Sequence, residues 1–600
     1  MKTNWTWAGL GLALAGAALA GDLKQEFLNP PDPARPGVYW YFMDGNQDRD
    51  EMVKDLHAMK EVGIGSVLFL EVNIGMPVGP VPFMSEPWQD NVAHSFVEAG
   101  KLGMEVILGT GPGWSGSGGS WVRAEDSMQH LVGSSVRVKG PGKLDQVLPV
   151  PPPHAPNPFS GMNPAHQAER NQWFQDVAVL AFPTPAGGPA TIDKVNLKTL
   201  KDVLPYSIRR TNDLYVMPQA AYDEPGPTKV FDMDRVVDLT LEMEEDGRIH
   251  WDIPEGDWTV MRFVARSTGQ TTRPAPQAGH GFETNKFDAA SYRRHWNEFQ
   301  AKLLAKIVAE GGPLQPGKGL TTIHLDSWEM SSQNWTADFV AEFKKRRGYD
   351  PQPFFPAWMG LVVGSREKTE RFLWDMRKTA QELVIEEHAE VIKKTAREHG
   401  LLYSNEPYDM NPAGNIDLGS VADVPMCEFW YAPHDTQYSC VEAVSIANTM
   451  GPQVVKAEAF TSSRDAFAKT PANMKNQTDW AFAIGINGIV FHTYQHQVLG
   501  SDEKPGMTMG PYGIQWHRNQ TFWSFLPEYH EYITRCSHLL RQGEAVADIL
   551  YLTPEGAPHI FEAPVDATVG PAKLRDKRGY TFDAVTSRIL RKRATVEDGR

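Results

Sequence analysis

The stretch TTIHLDSWE, residues 321–329, decides the fold: a short strand-forming run leads straight into an aspartate, Asp326, and then a glutamate, Glu329. The pattern recurs downstream. LLYSNEP (401–407) carries Glu406, VPMCEFW (424–430) carries Glu428 and VVKAEAF (454–460) carries Glu458. Each run has the length and the apolarity of a strand buried on both faces. Helical patterning separates most of them, most plainly EKTERFLWDMRKTAQELVIEEHAEVIKKTAREHG (367–400). Strands that deliver acids at their C-terminal ends are how a (β/α)8 barrel, a TIM-type fold, assembles a site.

Outward from this core the same rhythm continues. GINGIVFHTY (485–494) reads as the last strand of the series. Toward the N-terminus, GVYWYFMDG (37–45), GSVLFLEV (65–72) and MEVILGTG (104–111) read as three more, with helices over 50–63 and around 92–103 between them. Three runs before residue 131 and five after 280 make the barrel number. Between them the chain turns Pro-rich (VLPVPPPHAPNP, 147–158) and alternating (DVAVLAF, 176–182), and HWDIPEGDWTVMRFVAR (250–266) reads as a hairpin turning at Pro254–Asp257. The expected organisation is therefore a leader over 1–20, barrel strands 1–3 within 21–131, and an inserted, mostly β domain over 132–280. Strands 4–8 and trailing helices follow over 281–545, with the start of a further α/β unit over 546–600. In that last unit AVADILYLTPEG (545–556) predicts a strand and Phe582–Arg591 a helix. About fifty residues cannot bury a core alone, so the unit must dock on the barrel or belong to a longer protein.

A net charge of −16 argues against nucleic acid or an anionic membrane surface as a partner. Lys2, the apolar run 5–20 and the Ala18-Leu19-Ala20 site form an export signal, which predicts a periplasmic or extracellular protein. No later window has the roughly 20 apolar residues of a membrane span. Three cysteines, Cys427, Cys440 and Cys536, cannot form a disulfide framework; one bridge between Cys427 and Cys440 is possible but not required.

The acids carry the chemistry. Cleaving a sugar acetal takes one protonated carboxyl on the leaving oxygen and one ionised carboxylate for water or for direct attack. Crowding several carboxyls raises the pKa of at least one, and a hard cation such as Ca²⁺ would relieve the repulsion. GTGPGWSGSGGSWV (109–122) matches a dinucleotide fingerprint only formally, since Pro112 and Trp114 suit that turn poorly. It reads better as a loop presenting Trp114 and Trp121 to a sugar face. The last strand brings His492 and His496 for hydroxyl recognition. Neither HExxH nor GxSxG occurs, which argues against a zinc peptidase and a serine hydrolase. The basic run Arg588–Arg593 reads as a solvated helix end.

ARPGVYWYFMDGN (34–46), the glycine-rich loop 109–122, GHGFETNK (279–286), HLDSWEMSSQNWTADFVAEFKKRRGYDP (324–351), CEFW (427–430), AEAFTS (457–462) and PGMTMGPYGIQWHRNQTFW (505–523) together resemble glycoside hydrolase family 106, the α-L-rhamnosidases. The resemblance implies an inverting exo-hydrolase on a (β/α)8 barrel, further β domains beyond it, and Ca²⁺ at the sugar hydroxyls. It implies Glu329 as general acid, Glu458 as general base and Glu428 as a calcium ligand. Asp326 and Glu406 join as candidate metal or sugar contacts. A retaining glycosidase, with Glu458 as nucleophile, and a non-catalytic sugar-binding protein are the alternatives.

Overall fold

The computed structural model describes residues 23–158, 160–202, 222–312, 317–408, 412–432, 434–451, 454–556, 558–571 and 574–596. The leader expected over 1–20 lies outside the described residues. Three strands open the fold: β1 (Gly37–Met43), β2 (Ser66–Val72) and β3 (Glu105–Gly109). The helix Arg49–Glu61 between the first two starts where Asp48 caps it, its side chain accepting from the Glu51 amide. Four strands come next: β4 (Gln129–Val147), β5 (Gln175–Pro183), β6 (Val237–Asp238) and β7 (Arg248–Ser267). Five more follow: β8 (Gly319–Leu325), β9 (Leu402–Asn405), β10 (Val424–Ala432), β11 (Lys456–Ser462) and β12 (Gly488–Gln495). The first three and the last five close into a parallel barrel, β1-β12-β11-β10-β9-β8-β3-β2, while β4-β7-β5-β6 form a separate antiparallel sheet.

Side-chain alternation explains the layers. On β1, Val38, Trp40 and Phe42 face outward into the large core shared with the helices. Tyr39 and Tyr41 face inward, with Leu68 and Leu70 of β2, Ile107 of β3, Met426 of β10 and Val490 of β12. The same parity turns Glu428 and Glu458 inward, because their neighbours Cys427, Ala457 and Ala459 belong to the outer core.

Several local expectations change. The hairpin predicted over 250–266 is one continuous strand, β7, paired along its length with β4. The Pro-Glu-Gly-Asp segment does not reverse the chain. It forms a kink opposite Gly140-Pro141-Gly142 of β4, where the register shifts and Gly140 faces Gly256. The helix expected over Phe582–Arg591 splits: Phe582–Val585 is a strand pairing parallel with Ile549–Leu552, and the helix is Ser587–Arg593, capped by Thr586. Phe582 and Ala584 are buried with Phe561 against Ile416 and Ile446 of the barrel's helices, so this unit docks on the barrel. Ahead of β8 the chain forms two helices, Ala289–Glu298 and Gln300–Ala309, that meet at Phe299. Cys427, Cys440 and Cys536 are all free thiols.

Candidate active site

Four carboxylates, Asp326, Glu329, Glu428 and Glu458, line a cavity of about 670 Å³ at the C-terminal ends of the barrel strands. Register places the first pair. Glu428 of β10 and Glu458 of β11 are direct partners in a parallel ladder, so they sit side by side on the inward face. Just beyond Glu458 the pairing slips, with Phe429 opposite Ala459 but Trp430 opposite Thr461. Phe460 takes up the slack in a left-handed conformation, φ 69°. The bulge returns Thr461 to the cavity, where its hydroxyl donates to Glu458 Oε1. Trp430 Nε1 donates to Glu428 Oε1 at 2.9 Å.

Asp326 directly follows β8 and is anchored by His324 (Nε2 to Oδ2, 2.9 Å) and by the Ser327 amide (2.9 Å). Glu329 has φ 44°, an uncommon conformation for a non-glycine residue and one that recurs at functional sites. Its Oε2 accepts from Trp114 Nε1 at 3.0 Å, and its backbone carbonyl accepts from Arg273 Nη1 at 3.0 Å. Glu406, directly after β9, is fully buried and does not line the cavity itself. Tyr39 bridges the two sides, donating toward Asp326 Oδ2 (3.0 Å) and Glu406 Oε2 (3.2 Å).

The electrostatics follow from crowding. Burial, then the charges of Asp326, Glu458 and Glu428, push the Glu406 carboxyl far above its ordinary range. Glu428 is raised by burial and by Glu329. Glu458 is raised by burial and by Glu428 and Asp326, against the opposing Thr461 hydrogen bond. His492 lies 3.8 Å from Glu458. Burial lowers its pKa to about 3, so the imidazole is neutral and the contact is not an ion pair.

One oxygen from each of Glu406, Glu428 and Glu458 falls within 4.8 Å of the others, and His324, Asp326 and Glu406 form a second such group. Glu406 Oε1 is buried with no hydrogen-bond partner. An all-carboxylate donor set with an orphaned oxygen fits a hard divalent cation of the Ca²⁺ type.

The expected residues divide. Trp114 and His492 line the cavity with the acids. Trp121 does not: its Nε1 donates to His295 at 3.3 Å and its ring stacks on Phe299, behind the glycine-rich loop. His496 is also placed elsewhere, bonding buried Asp55 through Nδ1 (2.8 Å) and accepting from the Asp48 amide through Nε2 (3.2 Å). His496 follows His492 by four residues but lies just past the end of β12. Tyr39, Tyr41, Tyr408 and Arg273 were not singled out from sequence. The inward parity of β1 was a usable signal for the two β1 tyrosines, whereas nothing local marks Arg273.

A parallel eight-stranded barrel whose mouth gathers paired carboxylates has the build of a glycoside hydrolase. Residues 28–600 match the alpha-L-rhamnosidase model of glycoside hydrolase family 106, and the chain belongs to that family. The structure of a rhamnosidase from Novosphingobium sp. PP1Y superposes with a TM-score of 0.79 at 25% identity, covering 95% of this chain and 64% of that one. A protein of Formosa agariphila named "Putative beta-glucuronidase" is 33% identical over 538 residues, 90% of this chain. The chain spans 43% of that relative's length.

Proposed function

We propose that the protein is an exported, exo-acting, inverting α-L-rhamnosidase that removes terminal rhamnose from polysaccharides or glycosides. The observation that carries this reading is the convergence of Glu329 and Glu458 on one cavity, with Glu428 beside the second. Glu329, oriented by the Trp114 indole, gives its proton to the glycosidic oxygen as the bond to the leaving group breaks. Glu458 takes a proton from a water that attacks the anomeric carbon from the opposite face. In its ionised form Glu458, held by the Thr461 hydroxyl beside Glu428, is placed to act as that base. Inversion requires the two carboxyls roughly 6.5–9.5 Å apart with the water between them. Glu406, Glu428 and Asp326 would hold the Ca²⁺ that the family implies, and its chemistry there is to bind and orient sugar hydroxyls. In the same reading residues 132–280 are an inserted module, supported by the separate sheet β4-β7-β5-β6.

The relative's name makes β-glucuronide the specific competitor. A panel of nitrophenyl glycosides on the full chain decides: turnover of the α-L-rhamnoside is expected, and turnover of the β-glucuronide alone would overturn the reading. NMR of the first-formed sugar should show inverted anomeric configuration. Glu329→Gln and Glu458→Gln should each lower kcat by about 10²–10⁴ on a substrate with an unactivated leaving group. Removal of metal with EDTA should abolish activity and added Ca²⁺ restore it. The mature N-terminus should begin at Gly21. No helix among the described residues is long and apolar enough to cross a membrane.

A further inference from the structure

We propose that Arg273 builds the leaving-group subsite and selects an acidic sugar, a uronate, next to the residue that is removed. The proposal rests on the assignment of Glu329 as general acid. Among the described residues that line the cavity, Arg273 is the one arginine or lysine, beside the carboxylates of Asp326, Glu329, Glu428 and Glu458. It is not spread among them. Its Nη1 donates to the backbone carbonyl of Glu329, the residue whose side chain meets the leaving oxygen. Trp114 touches the same residue from its side-chain end. Glu458 has other neighbours, the Thr461 hydroxyl that donates to it and His492 at 3.8 Å. The cation is therefore tied to the residue that, as general acid, meets the departing aglycone.

The backbone that carries this guanidinium is held from both sides. The amides of Trp114 and Ser115 donate to the Arg273 carbonyl at 3.3 and 3.2 Å, and the Ser115 hydroxyl accepts from the Arg273 amide at 3.1 Å. Gly113, at φ 80°, lets the loop approach so closely that a Cβ there would lie 2.6 Å from that carbonyl. On the other side Asn73 donates to the Pro274 carbonyl at 2.9 Å. A fork on a fixed backbone, tethered through Nη1, loses less entropy on engaging a planar carboxylate than one on a mobile loop. The neighbouring carboxylates add selection by repulsion: an anionic group on the substrate is tolerated at the Arg273 end and opposed elsewhere in the cavity. Trp114, whose ring packs edge-on to Tyr41 at 6.4 Å, supplies an aromatic wall beside the cation.

The test compares two disaccharides, α-L-rhamnosyl-(1→4)-D-glucuronate and the same compound with D-glucose. The wild-type kcat/KM should favour the uronate by about tenfold, and rising salt should erode that preference. Arg273→Met should bring the ratio toward one, and Arg273→Lys should leave it intermediate. Because Arg273 also holds the Glu329 carbonyl, the ratio and not either rate alone is decisive. An equal loss on both substrates, with the preference kept, would make Arg273 a support for Glu329 only and overturn the proposal, as would a wild type with no preference. If neither disaccharide is cleaved the rhamnosidase reading falls instead. Calorimetric titration of methyl glucuronoside against methyl glucoside then still tests the subsite: binding of the uronate that disappears in Arg273→Met sustains it, and no discrimination overturns it.

Discussion

The strongest structural prediction concerns a salt bridge that never touches the substrate. Lys286 and Glu283, from the motif GHGFETNK, are both fully buried, with Nζ 2.6 Å from Oε2. The ammonium also donates to the Ser117 carbonyl and hydroxyl, each at 2.8 Å, and to Thr284 Oγ1 at 3.1 Å, and it lies 5.8 Å from the Trp328 ring centroid. It thus ties the glycine-rich loop that carries Trp114 to the segment that carries Glu329. Burial pushes Glu283 up and Lys286 down, and each partner opposes the other's shift. Lys286→Met removes all these contacts and strands a carboxylate whose other oxygen, Oε1, is already without a partner. Breaking a buried pair on one side costs about 3–5 kcal/mol. Replacing both partners, Glu283→Gln with Lys286→Met, should recover at least about 2 kcal/mol of that, because no unpaired charge remains. A chain of this size does not unfold in two states, so local opening is the proper readout. The Thr284 amide, which donates to the Ser117 carbonyl at 3.0 Å, should exchange its hydrogen about 10²- to 10⁴-fold faster in the single variant, the roughly 3–5 kcal/mol converted at about 1.4 kcal/mol per decade. Exchange within threefold of wild type, or a double variant no better than the single one, would refute the reasoning. Turnover should fall with the loop's order, although Lys286 does not line the cavity.

Other expectations follow from the same geometry. Glu71, buried at the end of β2, accepts from the Gly45 amide, Gln47 and Trp88, yet burial raises its pKa from 4.5 to about 7. Between those two values the folded chain binds one proton more than the unfolded chain. Stability from this group is therefore present below the lower value and lost as pH rises through the upper one, by about 3 kcal/mol in all. Glu71→Gln should flatten that part of the stability–pH profile measured by calorimetry, and parallel profiles would contradict the assignment. Tyr39→Phe removes the hydroxyl between Asp326 and Glu406 and should cost about 1.5–3 kcal/mol, with Ca²⁺ restoring part of the loss in a melting assay. His496→Ala should lower stability by about 1–3 kcal/mol through buried Asp55 while leaving the substrate ranking of the glycoside panel unchanged. A changed ranking would place His496 at the site after all.

How far the site was legible depends on how local each signal is. Glu428 and Glu458 could be read because two-residue alternation and strand length are properties of a few consecutive side chains. Their direct register, and the bulge at Phe460 that turns Thr461 toward Glu458, needed the paired strands. The predicted hairpin at Pro254 failed for the same reason. A Pro-Glu-Gly-Asp segment has the local chemistry of a turn, but β4 offers a matching interruption at Gly140–Gly142, and long-range pairing prevailed over the local preference. The glycine-rich loop was legible as a loop and not as to its purpose. Its glycines permit close backbone approach: a Cβ on Gly116 would lie 3.1 Å from Glu283 Oε2 and 2.6 Å from Met330.

By itself the sequence determined the barrel's periodicity and the delivery of acids to its C-terminal mouth. Both arise from apolar runs and side-chain parity that act within single strands. Tertiary structure decided which groups meet those acids. It brought Tyr39 to Asp326 across 287 residues and Arg273 to the carbonyl of Glu329, and it turned Trp121 and His496 away into the packing behind the site. The loops over a barrel mouth are positioned by contacts with distant segments, and the energy of those contacts is absent from any local stretch of chain.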